Sequence, residues 1–404
     1  MKYIKGGVCA AKGFEAAGIH CGIRKNKTKR DLALIYTKKR AAAASVYTQN
    51  LVKGAPILVT QKNLADGYAN AIICNSGNAN TCNANGIEIA EEMCALTAES
   101  LEISPSDVIV ASTGVIGQPL SIEPIKNSMK RLADALSADG SVSAAEAIIT
   151  TDLALKEVAV SFTLNGLMCK IGGIAKGSGM IHPNMATMLA FITTDVAITP
   201  LMLQKALSAD VQDSFNMISV DGDTSTNDMV SILANGEAGN PVINSEGEAY
   251  DIFCKALSMV TRFLCRAIAK DGEGATKLIE CSVTGAKDKN TARIAAKSVV
   301  CSSLVKAAMF GADANWGRIL CALGYSGAEL DVTKIAVAFS SDPGTVDVCK
   351  NGTGIPFSEE NAKNVLSADE IKILITLGDG DASAVAYGCD LTYDYVKING
   401  DYRT

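Results

Sequence analysis

Residues 176–192 read Lys-Gly-Ser-Gly-Met-Ile-His-Pro-Asn-Met-Ala-Thr-Met-Leu-Ala-Phe-Ile, and this stretch restricts the fold more than any other. Gly177, Gly179 and Pro183 break regular structure ahead of the Ala186–Thr187 bond and predict a turned loop. From Thr187 to Thr194 the chain becomes apolar, and the run predicts a buried strand. The fold must therefore place a hydroxyl residue where a loop meets a core strand. A β-branched residue opening a strand explains most such threonines. A threonine nucleophile is the second reading, and the remainder of the chain decides between them.

With 404 residues the chain exceeds one ordinary core, and roughly two or three domains are expected. Hydrophobic residues make up 48% and charged residues 20%, a balance that suits a compact α/β protein. A formal net charge of −6 argues against nucleic-acid binding. The local basic run Arg24–Arg30 reads as a solvated loop. The thirteen cysteines are scattered, odd in number and never spaced Cys-x-x-Cys. With His20 and His182 as the only histidines, a structural zinc site has no ligand set, and no metal is assigned. Reduced thiols packed as small core residues point to the cytoplasm. No apolar run approaches the roughly 20 residues of a membrane span, and the start of the chain lacks a signal-peptide apolar region.

Along the chain, Leu32–Thr37, Ala55–Thr60 and Ala69–Cys74 read as extended segments. Asn75–Asn80 follows as a polar loop, equally suited to orienting a ligand and to making a plain turn. Ile87–Leu101 has helical spacing, stopped by Ser104-Pro105. Val108–Ala111 forms a short strand that opens on Ser112-Thr113-Gly114, and a helix is expected over 121–138. Thr199-Pro200 supplies an N-cap and a first-turn proline for a helix to about Met217. The loop Asp221–Asp228 has the acidic spacing of a calcium loop, but Thr226 occupies its glycine position and Ile232 the glutamate position. A long helix over 248–270 ends at Asp271–Thr276, where Glu273 lies between glycines. Ligand and purely structural readings of this carboxylate are balanced. Beyond it come a strand over 278–284, a helix over 290–310, a turn at 311–318 containing Trp316 in a packing role, and strands to the end, including 391–398.

Neither a phosphate-binding Gly-x-x-x-x-Gly-Lys-Ser/Thr loop nor a dinucleotide-binding Gly-x-Gly-x-x-Gly turn occurs. A histidine-based triad would need His20 or His182, and His182 is better read as stabilising its turn. The route to an activated hydroxyl that needs no histidine is an N-terminal threonine, whose own α-amine serves as the base. It requires a cut: Thr187 Oγ attacks the Ala186 carbonyl, and water hydrolyses the resulting ester. The freed α-amine, which ordinarily titrates at about 7.7–8, can accept and return the hydroxyl proton near neutral pH. At the strand end, the Thr113 hydroxyl and the backbone N–H beside side-chain-free Gly114 have the form of an oxyanion hole, although most Thr-Gly pairs are turns.

The segment Lys176–Leu189 resembles the self-cleavage motif of the ornithine acetyltransferase family, also called glutamate N-acetyltransferase, of arginine biosynthesis. The resemblance continues through Gly6-Gly7, Asn75–Asn80, Ser112–Gly117, Thr150–Asp152, Ser219–Asp223, Asp271–Thr276, Gly311–Arg318 and Tyr395–Thr404. Ala11 and Ala314 stand where the family suggests proline, and Gly400 where it suggests alanine.

The resemblance implies that Thr187 is the nucleophile, freed by self-cleavage at Ala186–Thr187, and that Thr113 and Gly114 form the oxyanion hole. It assigns substrate binding to Thr150, Lys176, Thr187, Glu273, Asn399 and Thr404. The implied fold is a mixed α/β chain with an αββα sandwich and a smaller C-terminal α/β domain from about residue 280. Residues 1–186 and 187–404 become two chains that pair as an (αβ)₂ heterotetramer. The implied reaction is ping-pong transfer of acetyl from N-acetylornithine to glutamate without a cofactor, and acetyl-CoA stays open as a second donor. Two other readings predict different outcomes. An N-terminal-threonine aminopeptidase or amidase would pass its acyl group to water, whereas an amino-acid-binding protein would stay uncut.

Overall fold

The computed structural model describes residues 1–182 and 188–401. By their internal contacts these form two units. The first contains Met1–Gly177, the segment ending at Ser214, and Thr224–Leu264. The second contains Ser178–His182, Phe215–Asp223 and the chain from Cys265 onward.

The first unit is built on one sheet with strand order Lys2–Ile4, Lys156–Leu164, Leu167–Lys176, Leu189–Thr194, Met229–Ala234, Leu32–Tyr47, Tyr68–Asn78, Val108–Val115. Phe14–Ile19 pairs with the first half of Leu32–Tyr47. That long strand shifts register between Tyr36 and Ala41, and its two halves serve two layers. The two-residue alternation of strands explains the layering. Leu32, Leu34, Ala71, Ile73, Val108 and Val110 pack in one core with Ile89 and Met93 of the helix Gly86–Leu101. Their neighbours Ala33, Ile35, Ile72, Cys74, Ile109 and Ala111 face inward, into a core shared with Ile174, Leu189, Phe191, Met229 and Leu233. Outside that second layer lie the helices Pro200–Asp210, through Gln204 against Ser45, and Glu248–Lys270, through Leu264 against Gly173. The sequence of layers is helix, sheet, sheet, helix, so the expected αββα arrangement is what this unit adopts.

The second unit holds a seven-stranded sheet in the order Thr353–Gly354, Gly344–Lys350, Ala336–Ser341, Glu370–Thr376, Leu278–Ala286, Ala382–Cys389, Ile218–Ser219. The helix Lys289–Cys301 covers it through Ala292, Ala295, Ala296 and Val299, whose small side chains let helix and sheet approach closely. Trp316 opens the helix Trp316–Gly324 and packs on this core, its ring so close to Gly354 that a Cβ there would lie 2.4 Å away.

Several elements differ from the sequence expectations. Residues 55–60 form a helix, Ala55–Asn63, rather than a strand. Gly54 and Pro56 start it, and Thr60 Oγ1 exchanges hydrogen bonds with the Val110 backbone, 2.8 Å to its carbonyl and 2.9 Å from its N–H. Tertiary pairing thus overrides the β-branched composition of Ile57, Val59 and Thr60. Residues 391–398 also contain a helix, Tyr393–Gly400; their alternation misled because Tyr393 stacks edge-on against Phe310. The helix expected over 121–138 is two short ones, Glu123–Lys126 and Met129–Asp134. That expected over 290–310 is broken at Ser302, whose hydroxyl accepts the Val305 N–H and so caps Ser303–Phe310. Thr199 caps Pro200–Asp210 as the sequence predicts. Among the described residues no helix is long and apolar enough to cross a membrane.

Candidate active site

In the first unit the strand Val108–Val115 delivers Thr113 and Gly114 beside Ser76 and Gly77 of the neighbouring strand Tyr68–Asn78. Gly114 adopts φ +133°, and a Cβ on it would stand 2.3 Å from the Gly77 carbonyl carbon. Only glycine fits, and the close approach exposes backbone that a side chain would cover. The buried Thr113 hydroxyl accepts a hydrogen bond from Lys176 Nζ at 3.2 Å. With its lone pair engaged by an ammonium, that hydroxyl is polarised as a donor, which is what an oxyanion needs. Lys176 ends the strand Leu167–Lys176 and pairs in register with Leu189, two residues after Thr187 in the chain.

Lys176 stands among buried carboxylates. Asp152, its side chain completely buried, binds Lys156 Nζ at 2.7 Å, the Gly177 N–H at 2.7 Å and the Thr150 N–H at 3.0 Å. Burial would raise its pKa, but the charges of Lys176 and Lys156 and these hydrogen bonds hold it at about 2. Asp152→Asn would break the buried ion pair by removing the negative charge 2.7 Å from the ammonium of Lys156, which is 1% exposed. A loss of about 3–5 kcal/mol in unfolding free energy is expected, measurable by denaturant melts. Since the folded pKa lies below the unfolded 3.8, this carboxylate contributes its stability above pH 3.8 and loses it as pH falls toward 2. The variant should lack that acid-dependent step. Asp228, at the head of Met229–Ala234, is buried too, with Oδ2 lacking a hydrogen-bond partner among the described residues. Burial drives its pKa well up, opposed by hydrogen bonds from Ser225 and by the Lys176 charge. Its neighbour Asn227 donates to the Ala79 and Ser112 carbonyls, at 2.6 and 3.1 Å, and so ties this strand to the one bearing Thr113.

The amides of Asn75–Asn80 are spent on the chain itself. Asn75 donates to the Asn78 carbonyl, Asn78 to that of Gln118, and Asn80 to that of Gly86. Against the expected polar loop, residues 75–78 continue the strand Tyr68–Asn78, and their amides serve the structure.

In the second unit Glu273 Oε2 accepts Asn399 Nδ2 at 2.9 Å. Tyr395, one helical turn before Asn399, interacts with Asp221, and burial followed by that carboxylate pushes its phenol pKa up. Asp221 accepts the backbone N–H groups of Met180 and Ile181 at 2.6 and 2.9 Å. The acidic loop at 221–228 therefore uses its first carboxylate to hold the chain at Met180 and Ile181. His182 Nδ1 lies 3.2 Å from Ser219 Oγ and 3.4 Å from Cys301 Sγ. Burial, reinforced by the Lys297 charge, lowers its pKa to about 4, leaving it neutral near pH 7.

The structure thus joins Thr113, Gly114 and Lys176 in the first unit, with Thr150 tied to their neighbour Asp152, and joins Glu273 and Asn399 in the second. Ala186, Thr187 and Thr404 lie outside the described residues. Sequence reasoning missed Asp152, Asp221 and Asp228. Asp152 and Asp221 lie within the family-like motifs, but only burial and partners reveal what an aspartate does.

Fold and site together define a mixed α/β protein with an αββα sandwich that holds a polarised threonine at a strand end. Residues 15–404 match the ArgJ family, and the chain belongs to that family. It is 52% identical over 392 residues, 97% of this chain and 96% of the relative, to a Clostridium acetobutylicum protein named "Arginine biosynthesis bifunctional protein ArgJ 1". Identity is 50% over 405 residues, the whole of both chains, to the ArgJ protein of Caldanaerobacter subterraneus. The crystal structure of an ArgJ protein from Bacillus halodurans, 50% identical, matches with a TM-score of 0.51 and covers 54% of this chain and 100% of its own.

Proposed function

We propose that the chain is an acetyltransferase of arginine biosynthesis that cuts itself at Ala186–Thr187 and moves acetyl from N-acetylornithine to glutamate through Thr187. The observation that carries this reading is the Lys176–Thr113 hydrogen bond beside Gly114, a donor arrangement suited to the oxyanion of an acyl transfer, in a chain that belongs to the ArgJ family.

Thr187 Oγ attacks the donor's acetyl carbonyl while the α-amine takes its proton; the tetrahedral oxyanion meets Thr113 and Gly114. Collapse returns the proton to the departing amine and releases ornithine. Glutamate's amine then attacks the acetyl-threonine ester and leaves as N-acetylglutamate. One amide is exchanged for another, so the cycle calls for no ATP and no cofactor. Lys176 suits a substrate carboxylate and Glu273 an ammonium; Thr150, Asn399 and Thr404 complete the binding set. The cut chains stay paired as an (αβ)₂ heterotetramer in the cytoplasm, and acetyl-CoA serves as a second donor.

Purified protein given N-acetylornithine should form N-acetylglutamate when glutamate is present. Release of free acetate independent of glutamate would instead favour the N-terminal-threonine amidase. Replacing N-acetylornithine by acetyl-CoA in the same assay tests the second donor. Thr113→Val should lower the transfer rate about 10²- to 10³-fold, the usual effect of removing one oxyanion donor. A smaller loss would place the stabilising donor elsewhere.

A further inference from the structure

We propose that Gly179 sets the specificity of the donor half-reaction by fixing where the Glu273 carboxylate sits. The inference rests on the acetyl transfer proposed above and on Glu273 binding a substrate ammonium. The Glu273 carboxylate lies over the bare α-carbon of Gly179. A Cβ on Gly179 would stand 2.4 Å from Glu273 Cδ and Oε2 and 2.5 Å from Oε1. The Gly179 backbone is outside the left-handed region, so space, not backbone conformation, calls for glycine here.

Both sides of this contact are pinned. The Glu273 N–H donates to the Ser178 carbonyl at 2.9 Å, and Ser178 Oγ to the Asp271 carbonyl at 2.7 Å. Thr392 Oγ1 donates to the Gly274 carbonyl at 2.6 Å, and Asp390 accepts the Thr276 N–H at 2.8 Å. The backbone contacts leave the outer end of the Glu273 side chain to be placed by its own neighbours. Gly179 limits it on one side, and Asn399 holds Oε2.

The chemistry of the two substrates says which of them this carboxylate reads. In N-acetylornithine the α-nitrogen is acylated, so the side-chain ammonium is the only cation. Glutamate has one amine, the attacking one, and its side-chain carboxylate has the same sign as Glu273. A charge held at Glu273 therefore recognises the donor. A methyl group at position 179 would displace the carboxylate, because a side-chain tip yields where backbone does not. The fold survives this change and the match to the donor's ammonium is lost.

The test measures KM for each substrate with the self-cut protein. Gly179→Ala should raise KM for N-acetylornithine about tenfold and leave KM for glutamate within about twofold. In a Glu273→Gln background the same substitution should change donor KM by less than about twofold, because two residues acting through one contact are not additive. An unchanged donor KM, an equal rise for glutamate, or the same rise with glutamine at 273 would overturn the proposal. Should Gly179→Ala not fold, Glu273→Asp draws the carboxylate back by one methylene without touching Gly179. It should shift preference toward N-acetyllysine, whose ammonium reaches one methylene further, and an unshifted preference would count against the proposal. Failure of the underlying function looks different: the wild type would then make no N-acetylglutamate at all.

Discussion

Thr187→Ala is expected to give a single uncut 42.0 kDa chain with no acetyl transfer above background. In the proposed cycle the hydroxyl is needed twice, first to attack the Ala186 carbonyl and later to carry the acetyl group. The cut also creates the base. An α-amine with a pKa near 7.7–8 is part neutral at working pH, whereas a lysine near 10.4 is almost wholly protonated. His20 Nδ1 pairs with Asp31 at 3.2 Å, and His182, its pKa lowered to about 4 by burial, is a weak base at working pH. Thr187→Ser keeps the hydroxyl and should still be cut and active, which separates a nucleophile from a β-branched residue that merely begins a strand. A denaturing gel and a transfer assay read both variants.

Gly114→Ala is the second large effect. The new Cβ would lie 2.3 Å from the Gly77 carbonyl carbon and 2.5 Å from the Asn78 nitrogen, both backbone atoms in a paired strand that cannot yield. Placing alanine at φ +133° adds strain of about 1–3 kcal/mol. The strand end must move, carrying the Thr113 hydroxyl away from Lys176. Transfer should fall at least about 10²-fold, as for loss of an oxyanion donor, and the melting temperature should drop by several degrees. Gly117→Ala is the control. It has positive φ but nothing within 4 Å of its Cβ, so a change of about 1 kcal/mol with activity retained is expected.

Elements whose signal is local were legible in the sequence. The N-cap of Thr199, the period of the helix Glu248–Lys270 and the strand at Val108 follow from neighbours in the chain. Ala55–Asn63 was not, because its β-branched residues serve a helix whose Thr60 completes a distant strand. The C-terminal helix was obscured because Tyr393 and Tyr395 stand two residues apart, as in a strand, yet have separate partners, Phe310 for Tyr393 and Asp221 for Tyr395.

The site divides in the same way. Thr113, Gly114 and Lys176 are suggested by motif, but the 3.2 Å bond that gives them a joint role connects residues 63 positions apart. The buried partnership of Asp152 with Lys156 and Lys176, the hold of Asp221 on Met180 and Ile181, and the seat of Glu273 on Gly179 arise only when the chain is folded.

In the proposed cycle an acetyl group travels on Thr187. Wild-type protein exposed to N-acetylornithine without glutamate, then denatured and weighed by mass spectrometry, tests it most directly. The expected product is a fragment beginning at Thr187 that is heavier by one acetyl group on that residue and returns to its original mass when glutamate is added. An uncut chain, or an acetyl group carried on any other residue, would contradict it.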